Sequence, residues 1–418
     1  MTDYKEGIYM WLIIFGITLA AFVAGVIYLI VAIGRFGMIK TLSHGRKLFS
    51  AIISFLVIAI FFSLFTAIFD TLNAIVILLL VMLFFLIYGL IIKIIKSISK
   101  KNSKSDSEII TEKISDQITE QVSEQVSERT SKMENDIPSK MIYLQGWLAI
   151  ISSLLYLVPG YYLCHHVWQK DYNLHTEKNI GSLKVAMFAD SHIGTTFDGD
   201  GFAKHMKEIE SQNPDILVIA GDFVDDSSNK EDMLKACEAL GQMNLKYGVY
   251  FAFGNHDEGY FNQRDFTAQD LRKALTDNGV HILEDDYELI DDRFYVVGRL
   301  DSDNAGRLDI NSLIGGYDRG STFKENIDTS KYIIVLDHEP NDYDMEATSD
   351  ADLVLSGHTH GGQMIPITYV GEWFGINDRT YGYEKRNNTD FIVTSGISDW
   401  EIKFKTGTKS EYVIVNIE

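Results

Sequence analysis

The sequence Gly357-His358-Thr359-His360-Gly361-Gly362 decides the fold of the second half of this chain. It follows the apolar run Leu353–Leu355, which is typical of a short buried strand. Two histidines two positions apart can face the same side of an extended loop, and the glycines allow the sharp turns that such a loop needs. Two histidines among three glycines supply no apolar side chain to a hydrophobic core, so we interpret the block as a metal-binding loop at a strand end.

Four blocks upstream combine residues of the same kinds, and most of them also stand where an apolar run stops. They are Asp190-Ser191-His192, Gly221-Asp222-Phe223-Val224-Asp225, Gly254-Asn255-His256-Asp257 and Asp337-His338. Each block alone has an ordinary structural explanation: a solvated turn, a junction between a strand and a turn, or a surface or core histidine. Together they supply the carboxylate, imidazole and amide groups that bind metal ions. Because strand ends of α/β proteins converge on one cleft, we expect the blocks to form a single site.

In their order and spacing, the five blocks resemble the calcineurin-like metallophosphoesterase superfamily, and within it the membrane-anchored, YkuE-type branch. The resemblance covers about residues 180–418 and implies an α/β fold, a four-layer αββα sandwich. It also implies two divalent metal ions, for which the mixed imidazole and oxygen ligands favour Mn, Fe or Zn. The residues carried over as ligands of one ion are Asp190, His192, Asp222 and His360, and those of the other are Asp222, Asn255, His338 and His358.

The resemblance assigns roles beside the metals as well. His256 would stabilise the developing phosphoryl charge and protonate the leaving alkoxide. Asp257 would orient His256 by accepting a hydrogen bond from its other ring nitrogen, and Asp225 would contact a ligand. The implied reaction is hydrolysis of a phosphoester by attack of a hydroxide bound to both metals. The chain departs from the family pattern at Ile397-Ser398-Asp399-Trp400, where relatives often place another glycine, and this departure falls in the wall that would face the substrate.

Between the blocks, short apolar runs alternate with helical patterns, which suits two packed sheets with helices outside. The strongest predicted strands are Val185–Ala189, Ile216–Ala220, Val249–Phe253, Phe294–Leu300, Tyr332–Leu336 and Tyr412–Ile417. Helices are predicted around 202–211, 230–242 and 270–278.

The first part of the chain is predicted to lie in a membrane. Four apolar stretches are long enough to cross a bilayer: Tyr9–Ile33, Leu48–Phe69, Leu72–Ile92 and Met141–Cys164. We therefore divide the chain into three transmembrane helices (1–92), a polar and partly helical insert (93–140), a fourth transmembrane helix (141–168) and the metallophosphoesterase domain (169–418). In the insert, Ile and Val recur every four residues from Ile110 to Val126, which leaves open a solvated linker or a self-associating coil.

Basic residues predict the orientation of the multi-pass protein in the cell membrane. They follow the first and third spans, at Arg35, Lys40, Arg46 and Lys47 and again at Lys93, Lys96, Lys100, Lys101 and Lys104. Positively charged connections stay on the cytoplasmic side. The insert is then cytoplasmic, and the catalytic domain is predicted to be extracytoplasmic.

The charge of the chain limits its partners. Most of the net charge of -21 lies after residue 169, and an acidic domain repels nucleic-acid backbones, so no nucleic acid is expected. The expected partners are the lipid bilayer and a phosphoester substrate, such as a lipid or cell-envelope phosphodiester. The sequence gives no indication of the oligomeric state. The alternative to an enzyme is a catalytically weak, metal-binding membrane sensor. Five aromatic residues form either an apolar lip at the membrane or ordinary packing: Trp373, Phe374, Tyr381, Tyr383 and Trp400.

Overall fold

The computed structural model describes residues 20–114, 138–260, 264–302, 304–316 and 326–418. The chain divides into two compact units, residues 1–157 and 158–418. The described part of the first unit is helical, with helices Ala20–Ile33, Gly37–Leu42, Lys47–Ile68 and Thr71–Ile114, and the helix Pro138–His165 continues from the first unit into the second.

Three described helices are long and apolar enough to cross a membrane: Lys47–Ile68, Thr71–Lys101 and Leu144–His165. The first predicted span is described only over Ala20–Ile33, and residues 9–19 lie outside the described part, so the count of four spans stays a prediction. The second and third predicted spans form a tight hairpin, in which the Asp70 carboxylate accepts the backbone N–H of Asn73 at 2.8 Å and so caps the next helix. In the polar insert, residues 115–137 lie outside the described residues.

The second unit contains two six-stranded sheets. The strands of the first sheet are β1 Trp168–Leu174, β2 Leu183–Phe188, β3 Ile216–Ala220, β4 Val249–Ala252, β5 Val280–Ile282 and β12 Glu411–Ile417, in the order β1-β12-β2-β3-β4-β5. The strands of the second sheet are β6 Asp286–Ile290, β7 Phe294–Gly298, β8 Tyr332–Leu336, β9 Leu353–Ser356, β10 Gly382–Arg386 and β11 Thr389–Val393, in the order β10-β11-β9-β8-β7-β6.

Side-chain alternation along the strands explains the four layers. In β2, Val185 and Met187 pack between the two sheets, whereas Ala186 and Phe188 pack on the outer face of the first sheet. Both faces of such a strand are covered, which is why its sequence is apolar throughout. The longer helices are Gly199–Ser211, Lys230–Gly241 and Ala268–Asp277, which supply buried residues to the outer face of the first sheet; Ile310–Ile314 and Tyr343–Glu346 do so for the second. The predicted αββα sandwich is confirmed.

Strand direction decides where the site lies. The strands β2, β3 and β4 are neighbours and parallel, so their carboxyl ends share one edge of the first sheet. The strands β8 and β9 are likewise parallel neighbours in the second sheet. The loops that follow these five strands carry all five sequence blocks.

Candidate metal centre

The structure brings the seven predicted metal ligands together in one cleft. Two clusters of side chains could each hold a metal ion: Asp190, His192 and His360 form one, and Asp222, His338 and His358 form the other. Within each cluster the candidate ligand atoms all lie within 4.8 Å of one another. The members of each cluster come from both sheets, because β2 and β3 end opposite β8 and β9. The clusters lie where the carboxyl ends of the strands meet, as expected for an α/β site.

Backbone geometry aims these side chains. Five of the seven predicted ligands have left-handed backbones, with φ of 55° at Asp190, 34° at His192, 54° at Asp222, 67° at His358 and 49° at His360. Such conformations cost energy for residues with a side chain, and they tend to collect at functional sites. The chain therefore turns sharply directly after each strand and directs the ligand atoms into the cleft.

Gly221 shows why small residues accompany these turns. Its φ is 81°, and a Cβ atom added there would lie 2.6 Å from Nδ1 of His338 and 2.7 Å from the backbone of Gly254. Any side chain would push the loops that carry Gly254 and His338 away from Asp222. The glycine next to Asp222 is therefore required by the close approach of the loops.

Asp222 lies between the two clusters. Its Oδ2 atom is 3.6 Å from Nε2 of His192 in the first cluster and 3.1 Å from Nε2 of His338 in the second. Two cations held close together repel each other, so a shared anionic ligand between them is needed. The position of this oxygen is the one that a bridging carboxylate would occupy.

Asn255 completes the second cluster. Its Oδ1 atom is 3.1 Å from Nε2 of His338 and 3.2 Å from Nδ1 of His358. The amide oxygen adds a ligand without adding negative charge. With Asp222, these residues form the four-member donor set that the resemblance implies for one ion.

Carboxylates near two of the histidines favour positive charge on the rings. Burial alone would lower the pKa of His192, but the carboxylates of Asp225, Asp222 and Asp190 outweigh burial and raise that pKa to about 8. The pKa of His338 is likewise raised well above its ordinary value, because Asp222 and Asp190 outweigh burial. At the other two histidines of the clusters burial is the larger influence: it lowers the pKa of His358, and it lowers the pKa of His360 to about 3.

Buried polar atoms provide a further test of whether metals fit. The His192 ring is fully buried, and neither of its nitrogens has a hydrogen-bond partner. A buried ring nitrogen without a hydrogen-bond partner destabilises the folded state. A metal ion would satisfy the Nε2 atom of His192, which faces Asp222. The donor set and this orphaned nitrogen fit divalent ions.

Groups behind the histidines fix their orientation. The Nδ1 atom of His338 lies 2.7 Å from the carbonyl oxygen of Ala220, so an N–H there donates to the carbonyl and leaves Nε2 for a ligand role. The Nδ1 atom of His192 lies 3.4 Å from Oδ2 of Asp225. Asp225 thus contacts a predicted ligand, in line with the expectation for this residue.

Asp399 lies behind His360, and the sequence did not predict this contact. Its Oδ1 atom lies 3.1 Å from Nδ1 of His360, at ion-pairing distance though not in hydrogen-bond geometry. Burial raises the pKa of Asp399 to about 7, against the opposing effect of Lys405. The Lys405 amine is fully buried and donates to the carbonyl oxygens of Ser395 at 2.6 Å and Ser398 at 3.0 Å.

The structure corrects the expected role of Asp257. Its carboxylate accepts four backbone N–H groups, from Asp222 at 2.9 Å, Phe223 at 2.9 Å, Val224 at 3.1 Å and Gly254 at 2.9 Å. Consecutive residues on a helical turn point in different directions, and Asp257 and His256 share the turn Asn255–Glu258. Asp257 therefore joins two ligand loops instead of orienting the His256 ring.

His256 faces a cavity beside the clusters. The cavity has a volume of about 460 Å³ and is lined by Asp226, Ser227, Asn255, His256, Tyr260, Trp400 and Glu401. The His256 ring lies 5.1 Å from the ring of His192 and 5.3 Å from that of Trp400. Burial, the largest influence, lowers the pKa of His256 to about 4. The residue is placed between the metal ligands and the space in which a substrate group can sit.

This fold and this ligand arrangement are those of a metallophosphoesterase. Residues 183–362 match the family model for calcineurin-like phosphoesterases. An uncharacterized metallophosphoesterase of Aquifex aeolicus is 32% identical over 201 residues, covering 48% of this chain and 72% of that protein. The chain belongs to the calcineurin-like phosphoesterase family.

Two further relatives bear on the membrane-anchored branch. A Danio rerio protein described as a transmembrane protein with metallophosphoesterase domain is 28% identical, covering 57% of this chain and 54% of that protein. The uncharacterized metallophosphoesterase YkuE of Bacillus subtilis is 25% identical, covering 56% of this chain and 79% of its own. The resemblance to this branch is confirmed. The chain spans a little over half the length of several curated relatives that it matches.

Proposed function

We propose that this protein is a membrane-anchored, metal-dependent hydrolase of phosphoesters with a dinuclear centre. The observation that carries the proposal is the position of Asp222, whose Oδ2 atom lies 3.6 Å from Nε2 of His192 in one cluster and 3.1 Å from Nε2 of His338 in the other, and each cluster could hold a metal ion. The proposed ligands are Asp190, His192, Asp222 and His360 for one ion, and Asp222, Asn255, His338 and His358 for the other.

Two divalent ions, when bound, would supply Lewis acidity and lower the pKa of a coordinated water. The residues of the chain do the rest. His256 borders both the ligand clusters and the cavity, so it can interact with a phosphoryl oxygen and give a proton to the leaving oxygen. Burial keeps the ring neutral in the substrate-free site, whereas the negative charge of a phosphoester next to it favours the protonated form.

The proposed substrate is a phosphodiester of a lipid or of the cell envelope. Supporting this, the catalytic unit includes the end of the apolar helix Pro138–His165, so its substrate is met near a bilayer. The cavity beside His256 has room for an organic group and contributes two aromatic rings, Tyr260 and Trp400, as apolar walls. A phosphodiester carries an organic group on each side of the phosphorus, so one of them can occupy this space.

The side of the membrane is also proposed. The basic residues Lys93, Lys96, Lys100 and Lys101 lie at the carboxyl end of the helix Thr71–Lys101, and the positive-inside rule puts this end in the cytoplasm. The next span then leads out of the cytoplasm, with the catalytic unit after it. A cysteine introduced at the exposed Leu234 in intact cells tests this, because Cys164 and Cys237 are both buried. A membrane-impermeant maleimide should label Leu234→Cys before lysis; labelling only after lysis would overturn the orientation.

A metal-binding sensor is the competing function. It would need the ligands but not His256, and the intact His256 beside a cavity favours an enzyme.

The deciding experiment uses the full chain in detergent with Mn²⁺. Bis-p-nitrophenyl phosphate and p-nitrophenyl phosphate are offered as diester and monoester. We expect metal-dependent turnover with a preference for the diester, loss of metal binding and turnover in Asp222→Asn, and loss of turnover with metal retained in His256→Ala. The matched control is Asp390→Asn, a buried carboxylate near the start of β11, which should keep full activity. Metal binding without turnover in the wild type would support the sensor.

A further inference from the structure

Six large apolar side chains that are close together in sequence lie on the surface of the catalytic unit, shortly after the proposed ligand His360. We call it the apolar patch; its members are Ile365, Ile367, Tyr369, Trp373, Phe374 and Ile376. The exposed fraction reaches 72% at Trp373 and 77% at Phe374. Soluble surfaces rarely display so many large apolar residues together, and such patches mark places where another apolar phase makes contact.

The base of the apolar patch is fixed to the segment that contains Thr406. The carbonyl oxygen of Gln363 accepts the N–H groups of Thr406 at 2.8 Å and Gly407 at 3.1 Å, and the N–H of Ile365 donates to Oγ1 of Thr406 at 3.1 Å. These bonds hold the start of the patch against residues 406–407.

The same segment is fixed to the last apolar helix. The N–H of Lys405 donates to the carbonyl oxygen of Gly160 at 3.0 Å, and the ring of Phe404 lies 6.2 Å from that of Tyr161. A Cβ atom added to Gly160 would lie 2.8 Å from Cγ2 of Thr406, so the close approach depends on glycine. The carboxyl end of the helix, residues 404–407 and the apolar patch therefore form one connected structure within the second unit.

Aromatic residues mark the level at which this helix leaves the lipid. Tyr161 and Tyr162 are 41% and 58% exposed near its carboxyl end, and Trp168 follows at the start of β1. Tyr and Trp are enriched at the boundary between hydrocarbon and water. Since Tyr161 contacts the segment that holds the patch, the patch lies close to this boundary.

We propose that the apolar patch is inserted in the interfacial layer of the bilayer, beside the point where the helix Pro138–His165 emerges. Lipid fits this surface because the patch adjoins the membrane span and is rich in Trp, Tyr, Phe and Ile. The charged residue within it, Glu372, turns its carboxylate to the backbone N–H of Thr380 at 3.1 Å. Residues of this kind lie about 5–10 Å into the headgroup region.

Insertion has a consequence for the metal centre. The patch begins at Ile365, three residues after Gly362, so a segment held in the headgroup layer is continuous with a proposed ligand loop. This consequence rests on the proposed function: the phosphoester that reaches the cleft would come from a molecule resident in the membrane. Insertion itself does not depend on catalysis and can be measured without it.

The test uses the full chain in lipid nanodiscs with a polarity-sensitive NBD label on Phe374→Cys. The matched control carries the label on Leu234→Cys, which is also exposed but lies on the helix Lys230–Gly241. Background labelling is low because both native cysteines are buried. At a depth of about 5–10 Å, lipids with a shallow nitroxide should reduce emission at 374 about twofold or more and leave emission at 234 unchanged. Iodide in the water should quench the emission of the label at residue 234 more strongly than that of the label at residue 374.

Two results would overturn the proposal. Equal iodide quenching at both sites, without lipid quenching, would show that the patch faces water. Shielding of 374 from iodide without lipid quenching would show that a protein, such as a second copy of the chain, covers the patch.

A second measurement separates this proposal from the proposed function. The double variant Trp373→Ser/Phe374→Ser should hydrolyse bis-p-nitrophenyl phosphate at the wild-type rate, yet lose about tenfold or more in turnover of a phosphodiester lipid in the same nanodiscs, which corresponds to about 1.4 kcal/mol. Equal turnover of the lipid by the variant and the wild type would contradict the role of the patch in substrate access. If the wild type hydrolyses neither compound, the proposed function fails, while the label still decides whether the patch is inserted.

Discussion

Replacing Asp399 with asparagine tests whether an unpredicted carboxylate helps His360 to bind metal. The side chain is fully buried, and its Oδ1 atom lies 3.1 Å from Nδ1 of His360. Its Oδ2 atom lies 3.8 Å from Sγ of Cys164 and 3.9 Å from Nζ of Lys405. Asparagine keeps the size of the side chain but removes the negative charge that favours a proton on Nδ1 and a free pair on Nε2.

The size of the effect follows from this geometry. Loss of a carboxylate behind a metal-ligating histidine typically costs about 10–100-fold in metal affinity or activity. That range corresponds to about 1.4–2.7 kcal/mol. Lys405 keeps its two carbonyl acceptors, at 2.6 Å and 3.0 Å, so we expect Asp399→Asn to fold.

The assay measures metal affinity and stability separately. Titration of the chelator-treated full chain with Mn²⁺, followed by metal-dependent turnover, gives the affinity; a thermal melt in excess chelator gives the stability without metal. We expect a large fall in Mn²⁺ affinity with a small change in the metal-free melt, and no change in affinity for the control Asp390→Asn. Wild-type Mn²⁺ affinity and turnover in Asp399→Asn would refute the reasoning. Lower metal-free melting temperatures of Asp399→Asn and Asp390→Asn, with unchanged Mn²⁺ affinities of both variants, would refute it as well.

Three further outcomes are expected. Removing divalent ions with a chelator should lower the melting temperature, because ions at about 100 times their dissociation constant stabilise the folded state by about 2.7 kcal/mol; an unchanged melt would argue against a metal site. Asp257→Asn should lower the free energy of unfolding by about 1–3 kcal/mol in a urea titration, because the amide cannot accept the four backbone N–H groups. His256→Ala should leave that free energy nearly unchanged. A fragment that begins at residue 175 should be less stable and more prone to aggregate than one that begins at residue 158, because loss of β1 leaves β12 as an open edge; equal melting temperatures would contradict this.

The sequence was sufficient for strands that are buried on both faces. The predicted strands Ile216–Ala220 and Tyr332–Leu336 have the same bounds in the structure, because every residue in them is buried and apolar. The ligand blocks were recognisable for a related reason. A turn that presents a metal ligand directly after such a strand needs small residues and short polar ones at fixed positions, and this leaves a pattern in the sequence.

Edge strands and contacts between distant loops could not be predicted in this way. The strands β1 and β10 lie at sheet edges and have polar sequences with alternating partial exposure, so no apolar run indicates them. Asp399 meets His360 only because two loops fold against each other, and the departure at Ile397-Ser398-Asp399-Trp400 gave the position but not the role. Asp257 was misassigned because it is the neighbour of His256 in sequence, whereas the helical turn separates their directions.

The order of strands in the first sheet bears on how the catalytic unit is made. The strand β12 lies between β1 and β2, parallel to the first and antiparallel to the second, although it is the last of the twelve along the chain. During synthesis, β1 and β2 therefore emerge long before the strand that joins them. If the unit is exported as proposed, the sheet can close only after residue 417 has passed the membrane. The entropy cost of bringing β12 back to β1 and β2 comes before the pairing of these strands contributes any stability. Until then β1 stays unpaired next to the bilayer, so translocation and folding of this protein are coupled through a single late strand.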